Sequence, residues 1–99
     1  MAKAEDKMEL DAVLHQPLRT RIVAYLSTRG EATFTELKQL LGVTDGNLEA
    51  HIKKLRAADY VVTHKEKGEG RPQTFYRLTK EGKDAFKLYV NKLQNLLEF

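Results

Sequence analysis

The sequence predicts an α+β domain in which short helices precede a β-hairpin and a longer helix follows it. Two observations carry this prediction. Apolar residues recur every three or four positions over residues 9–58 and again from residue 79, which is helical spacing, whereas residues 60–78 alternate around the tip "GEGRP". A chain of 99 residues can bury one modest core. We therefore expect a single domain over residues 1–99.

Composition excludes several classes of protein. Hydrophobic residues at 41% and charged residues at 31% indicate a globular chain, and the longest apolar run, residues 22–26, is too short to span a membrane. The charged start "MAKAEDKMEL" does not resemble a signal peptide. We expect a cytoplasmic location and no membrane partner.

Neither a metal site nor a catalytic site is predicted. The chain has no cysteine, and its histidines, His15, His51 and His64, fall in separate elements, so no metal and no other cofactor is expected. The one serine, Ser27, has no histidine near it in sequence, and the glycines of "GEGRP" lead into a strand rather than into a phosphate-binding helix. We expect a protein that is not an enzyme.

The net charge of +3 is concentrated in one segment. Residues 44–80 hold eight Lys or Arg against five Asp or Glu, while the rest of the chain is balanced at nine against nine. A basic surface in this segment favours an anionic partner, and a chance excess is the alternative.

The N-terminal helices are expected over residues 9–29. Leu10, Val13 and Leu14 indicate a short first helix, and Pro17 suits the first turn of a second. The apolar face of the second helix comprises Leu18, Ile22, Tyr25 and Leu26.

Residues 34–58 are expected to form two helices joined by the tight turn "LGVT". Thr35 is predicted to cap the first helix, which ends at Gly42, and Thr44 is predicted to cap the second. The core positions are Phe34, Leu37, Leu40 and Leu41 on the first helix and Leu48, Ile52 and Leu55 on the second.

The outward face of the second of these helices is small or basic. At 100° per residue it holds Gly46, Ala50, Lys53 and Ala57, flanked by Asn47, Glu49 and Lys54. A solvated face normally carries long side chains of both charges, so this face suits close approach to a partner. The alternative is that Gly46 and Ala50 only reflect a first helical turn.

A hairpin over residues 60–78 presents Arg71 at its tip. Gly68 and Gly70 can take positive φ, and Pro72 has no amide hydrogen to donate, so the tip is a loop. Such an arginine either solubilises the turn or contacts a negatively charged partner.

The last helix, over residues 79–98, begins at the predicted cap Thr79 and carries a broad apolar stripe. Together with the N-terminal helix, this stripe predicts a homodimer interface, and packing on the chain's own core is the alternative. The candidate interface residues are Leu10, Val13, Leu14, Phe86, Tyr89, Val90, Leu93, Leu96 and Leu97.

The order of these elements resembles a winged helix-turn-helix domain, in which the hairpin is the wing. In detail, "PLRTRIVAYL", "FTELKQLLGVTDGNLEAHIKKLRAADYVV" and "GRPQTFYRLTKEGKDAF" are similar to small microbial transcriptional regulators related to the MarR and ArsR groups. The resemblance runs from residue 17 to residue 86, and the combination of motifs is more specific than any one of them.

The resemblance implies double-stranded DNA as the partner of a dimeric regulator. In this family the helix that follows the tight turn enters the major groove, and the wing lies along the adjacent minor groove or the backbone. The matching positions here are Thr44, Gly46, Asn47, Ala50, His51, Lys53 and Lys54 on the helix and Arg71 on the wing.

Each residue type suits a role in such a complex. Arg71 suits the negative potential of a narrow minor groove, and Asn47 has the amide geometry to read an adenine edge. Ala50 can meet a thymine methyl group, and Gly46 lets the backbone come close. The hydroxyl of Thr44 and the lysines can hold phosphates.

His51 lies nearer the core stripe than the other candidates, so a hydrogen-bonded boundary histidine and a phosphate contact stay equally open. The acids Asp45, Glu49 and Glu69 would repel phosphate unless they pair with a lysine or accept from a cytosine amine.

The sequence also departs from relatives of this kind. It lacks the cysteine or clustered ligands of metal-sensing ArsR proteins, and nothing in it marks a small-molecule effector. A winged helix that binds another protein instead of DNA is the alternative function, and RNA binding lacks an aromatic platform.

Overall fold

The computed structural model describes residues 9–67 and 70–98 and contains four helices and a three-stranded antiparallel sheet. This is the predicted α+β winged helix fold. The elements are α1 (Pro17–Arg29), β1 (Ala32–Thr33), α2 (Phe34–Leu41), α3 (Asp45–Ala57), β2 (Val61–Lys67), β3 (Pro72–Leu78) and α4 (Lys80–Leu97). No helix in the described ranges combines the length and the apolar character that crossing a membrane requires.

One core lies between the helices and the sheet, and every helix contributes one face to it. The predicted α3 stripe is confirmed, because Leu48, Ile52 and Leu55 are all buried. Phe34 of α2 is only half-buried, and Leu40 is exposed. The buried residues are Leu14, Ile22, Val23, Leu26, Ala32, Leu37, Leu41, Leu48, Ile52, Leu55, Val61, Tyr76, Leu78 and Tyr89.

Polar side chains cap the N-termini of α2, α3 and α4. Thr44 caps α3 by accepting from the Asn47 amide, and Thr79 caps α4 by accepting from the Gly82 amide, as predicted. The prediction of Thr35 as the cap of α2 is wrong. Thr33 is the cap, because its hydroxyl oxygen accepts from the amide of Glu36 while the Glu36 carboxylate accepts from the amide of Thr33.

The short helix predicted around Leu10 and Leu14 is also absent from described residues 9–16, which form a turn instead. The carboxylate of Asp11 accepts from the amides of Val13 and Leu14, at 2.8 and 3.2 Å, and so competes with helical hydrogen bonding. The residue before Pro17 is held in extended conformation, which prevents a helix from running through this point.

The sheet has a third strand that the sequence did not predict. β1 is two residues long and pairs with β3, with Ala32 opposite Tyr76 and Thr33 opposite Phe75. A strand of two residues is too short to show the alternation of apolar and polar residues by which strands are predicted. It fixes the base of the wing against the start of α2, because α2 begins at the residue after Thr33.

The turn that follows α3 is joined closely to the start of α4. The amide of Thr79 donates to the carbonyl of Tyr60 at 3.0 Å, and the hydroxyl of Thr79 donates to the carbonyl of Asp59 at 2.5 Å. Gly82 lies against the same carbonyl of Tyr60, where a Cβ atom would stand 2.2 Å from the oxygen. The start of α4 is therefore held against the turn that follows α3.

Candidate nucleic-acid interface

The outward face of α3 is open to solvent along its length. Six of the seven candidate residues on and before this helix are exposed, namely Thr44, Gly46, Asn47, Ala50, Lys53 and Lys54. A Cβ atom at Gly46 would meet nothing within 4 Å, so this part of the surface has room for a close partner.

Thr44 and Asn47 keep polar groups available after the helix is capped. The Thr44 oxygen accepts from the Asn47 amide at 3.1 Å, and because a hydroxyl can donate and accept together, its hydrogen remains free to donate outward. The side-chain amide of Asn47 makes no hydrogen bond within residues 9–67 and 70–98.

His51 is half-buried and is held by a residue that the sequence reading did not single out. Arg19 of α1 donates from Nη1 to Nδ1 of His51 at 3.1 Å and from Nε to the carbonyl of Val13 at 2.6 Å. Burial and the nearby guanidinium both lower the pKa of His51. With Nδ1 accepting, the neutral ring carries its hydrogen on Nε2, which is then the remaining donor.

Arg71 stands at the exposed tip of the wing, next to Gly70, whose φ is +95°. A positive φ is the conformation that the glycine there was predicted to supply. Gly68 and Glu69, which belong to the same tip, lie outside the described residues.

Two further lysines lie on one face of the wing. Lys65 pairs across the hairpin with Thr74, and Lys67 pairs with Pro72. Thr74 and Pro72 line an open cleft between the wing, α2 and α3, together with Thr33, Phe34, Thr35, Glu49, Arg71, Gln73 and Tyr76. The alternation of residues 61–67 in the sequence already places Lys65 and Lys67 on one face, the face that also carries buried Val61.

Two acids near this surface have a side-chain partner. Asp45 forms an ion pair with Lys38 at 2.8 Å, and Glu66 lies 3.3 Å from Nε2 of His64. Glu49, in contrast, has no ion-pair partner in the described part of the chain. In its described part, the surface that α3 and the wing share is thus basic, with Glu49 as a carboxylate that has no ion-pair partner.

Tyr76 is the buried residue beneath the cleft. Burial raises the pKa of its hydroxyl, the positive charge of Arg56 opposes that rise, and the negative charge of Glu49 adds to it. Arg56 and Glu49 therefore both act on the ring from the wing-facing flank of α3. Within residues 9–67 and 70–98 no group of three or more His, Asp or Glu side chains could hold a metal ion.

The candidate dimer surface divides into a buried part and an open part. Leu14 and Tyr89 are buried in the chain's own core, and the Tyr89 hydroxyl lies 2.9 Å from Nδ1 of His15. In a single chain these two side chains already pack on the core. Leu97 is 71% exposed and Leu88 is 55% exposed. The half-buried candidates are Leu10, Val13, Phe86, Val90, Leu93 and Leu96.

The fold and this surface define a winged helix protein of the DNA-binding class. The family model for the winged helix DNA-binding domain matches residues 18–97, and the chain belongs to this family.

Individual relatives agree with this assignment. The uncharacterized protein MJ0432 of Methanocaldococcus jannaschii is 37% identical over 84 residues, which cover 85% of this chain and 91% of that protein. The structure of a transcriptional regulator homologue from Pyrococcus horikoshii OT3 matches with a TM-score of 0.85 at 29% identity, over 98% of this chain and 95% of that one. Transcriptional regulator Tm0710 from Thermotoga maritima shares the fold, with a TM-score of 0.71 at 22% identity over 83% of this chain and 57% of its own. The predicted resemblance to microbial winged helix regulators of transcription is confirmed.

Proposed function

We propose that the protein is a homodimeric, sequence-specific regulator of transcription that binds double-stranded DNA. Each subunit places α3 in the major groove of one half-site and its wing at the adjacent minor groove or backbone. The observation that carries the proposal is the exposed, small, polar and basic face of α3. It lies beside a wing that adds Lys65, Lys67 and Arg71.

The charge distribution supports a DNA partner over a protein partner. A protein-binding α3 would need apolar residues on its outward face. The large exposed apolar residues of the described chain are Leu40, Val62, Leu88 and Leu97, and all four belong to other elements.

Contacts to phosphates position the protein on DNA, and contacts to base edges determine which sequence it binds. Lys53, Lys54 and the free hydrogen of Thr44 hold phosphates. Asn47 reads an adenine edge by donating from its amide nitrogen to N7 and accepting from N6, and Ala50 packs on a thymine methyl group. His51 donates from Nε2 to a phosphate while Arg19 fixes its ring.

The dimer forms through the open part of α4. Phe86, Val90, Leu93 and Leu97 are spaced four, three and four residues apart, so they share one stripe of the helix. Half-buried Leu10 lies beside Ala85, Leu88 and Lys92 on a neighbouring face of α4, and it joins Val13 in the proposed interface. A two-fold axis through it would present two copies of α3 to successive half-sites.

Matched substitutions on the wing test the proposal. Arg71→Ala removes a charge from the tip, while Arg77→Ala removes the same charge from a residue that pairs with Val62 on the opposite face of the hairpin. We expect Arg71→Ala to weaken binding to a labelled mixed-sequence duplex by about 5- to 10-fold, from the loss of one charge-assisted contact of ~1 kcal/mol, and Arg77→Ala to leave it nearly unchanged. Equal affinity of the parent and Arg71→Ala would contradict the role of the wing.

A further inference from the structure

Glu49 is the one acid on the proposed DNA surface that the described chain leaves uncompensated. It is exposed in the second turn of α3, two residues after Asn47 and one residue before Ala50. Its side chain lines the cleft that Arg71 also lines. A carboxylate at this point has to be accounted for, because DNA presents negative phosphates to the whole surface.

No ion pair within the described chain neutralises Glu49. Lys53 lies four residues further along α3, the spacing at which Glu and Lys pair on a helix, yet no ion pair forms between them. Asp45, on the same helix, is satisfied by Lys38 at 2.8 Å. The carboxylate of Glu49 therefore keeps its capacity to accept hydrogen bonds from a bound molecule.

The chemistry of the major groove restricts what such a carboxylate can contact. An ionised carboxylate only accepts hydrogen bonds, so it repels phosphates, the N7 and O6 of guanine and the O4 of thymine. The donors in this groove are the N4 amine of cytosine and the N6 amine of adenine. The adenine amine stands beside the acceptor N7, which disfavours a second carboxylate oxygen, whereas the cytosine amine has no acceptor on its outer side.

We propose that Glu49 is a specificity-determining residue that accepts a hydrogen bond from the N4 amine of one cytosine in each half-site. The inference rests on the proposed function, because it requires α3 in the major groove. This contact would select cytosine in two ways, by attracting its N4 amine and by repelling the acceptors of other bases. A guanine or thymine at that position would face the carboxylate with an acceptor.

The test is selection of binding sites from a randomised duplex library by the parent and by Glu49→Gln. Glu98→Gln is the matched control, since it removes the same charge from an exposed residue at the end of α4. We expect the parent and the control to enrich cytosine at one position of each half-site. Glu49→Gln should lose that preference, with adenine favoured instead, because its amide donates as well as accepts.

Affinities for the selected duplex give the second readout. Replacing the selected cytosine by thymine should weaken binding by the parent about 10-fold or more, and binding by Glu49→Gln by less than about 3-fold. If Glu49→Gln selects the same base, or binds all duplexes uniformly more tightly, Glu49 only repels phosphate and the inference is wrong while the proposed function stands. If the parent enriches no sequence, sequence-specific binding itself fails and the inference fails with it.

Discussion

His51 is the residue at which the proposed DNA surface meets the interior of the chain. Its Nδ1 accepts from Arg19, which also donates to the carbonyl of Val13 in the N-terminal turn. One guanidinium thus ties the middle of α3 to the segment that precedes α1. The sequence left a boundary role and a phosphate contact equally open, and the hydrogen bond to Arg19 now supplies the boundary role.

The pKa of His51 predicts how stability depends on pH. Its folded value lies below the usual 6.5, so between that folded value and 6.5 the unfolded chain binds more protons than the folded chain. The free energy of unfolding therefore falls as the pH drops through this interval. We expect the parent to lose more stability than His51→Gln between about pH 7.5 and about pH 5, measured by urea unfolding. Equal losses would contradict this account of His51.

Asp59 is the one non-glycine residue of the described chain with a positive φ, at 63°. It follows the C-terminal end of α3, and its amide donates to the carbonyl of Arg56 at 2.9 Å. Glycine adopts this conformation without a Cβ penalty, whereas alanine does not. We expect Asp59→Gly to be more stable than Asp59→Ala by about 1 kcal/mol in urea unfolding. Two variants of equal stability would mean that no backbone strain resides here.

At the scale of elements, helix glycines at two positions have opposite roles. A Cβ atom at Gly82 would lie 2.2 Å from the carbonyl oxygen of Tyr60, while one at Gly46 would meet nothing within 4 Å. Gly82→Ala should therefore destabilise the fold by about 1–3 kcal/mol, because the overlap with backbone outweighs the better helix propensity of alanine.

Gly46→Ala is the matched control for that prediction and tests the interface as well. It should raise the free energy of unfolding by up to ~1 kcal/mol and weaken DNA binding, because the added methyl group obstructs close approach of α3. Thermal unfolding measures the first effect and fluorescence anisotropy the second. A stable Gly82→Ala variant would refute the close contact between α4 and the carbonyl of Tyr60.

Features set by local sequence could be predicted, and features set by distant contacts could not. The caps Thr44 and Thr79 depend only on the residues that follow them, and both predictions held. The contact between Gly82 and Tyr60, by contrast, joins residues on different elements. The Asp11 turn was missed although its signal is local, because the apolar spacing suggested a helix instead.

The candidate site likewise has a part that the local sequence predicts and a part that depends on distant contacts. The exposed face of α3 followed from the helical period alone, since Leu48 and Ile52 fix which side is buried. The contact between Arg19 and His51 joins residues 32 positions apart, and the hydrophobic periodicity of the sequence does not predict it. Whether Glu49 would pair with Lys53 also depended on side-chain geometry that spacing does not determine.

At the scale of the whole molecule, the proposed dimer depends on the stripe along α4. Leu93→Glu would place a carboxylate in that interface, and Gln94→Glu adds the same charge at an exposed neighbouring position. We expect Leu93→Glu to be monomeric and Gln94→Glu to remain dimeric in light scattering, because burying an unpaired charge costs several kcal/mol.

Leu93 is half-buried, so a second variant separates dimerisation from folding. Leu97→Glu changes a residue that is 71% exposed and lies at the last position of α4. It should weaken the dimer while the circular dichroism spectrum stays that of the parent. A parent that is itself monomeric at micromolar concentration would exclude this interface.

The salt dependence of DNA binding by the parent tests the central claim most directly. If Lys53, Lys54 and Arg71 of two subunits each neutralise a phosphate, the logarithm of the binding constant should fall linearly with the logarithm of salt concentration, with a slope of about −5. Fluorescence anisotropy of a labelled duplex at several salt concentrations measures this slope. Absence of binding at low salt, or binding that salt does not weaken, would contradict a DNA-binding role for this surface.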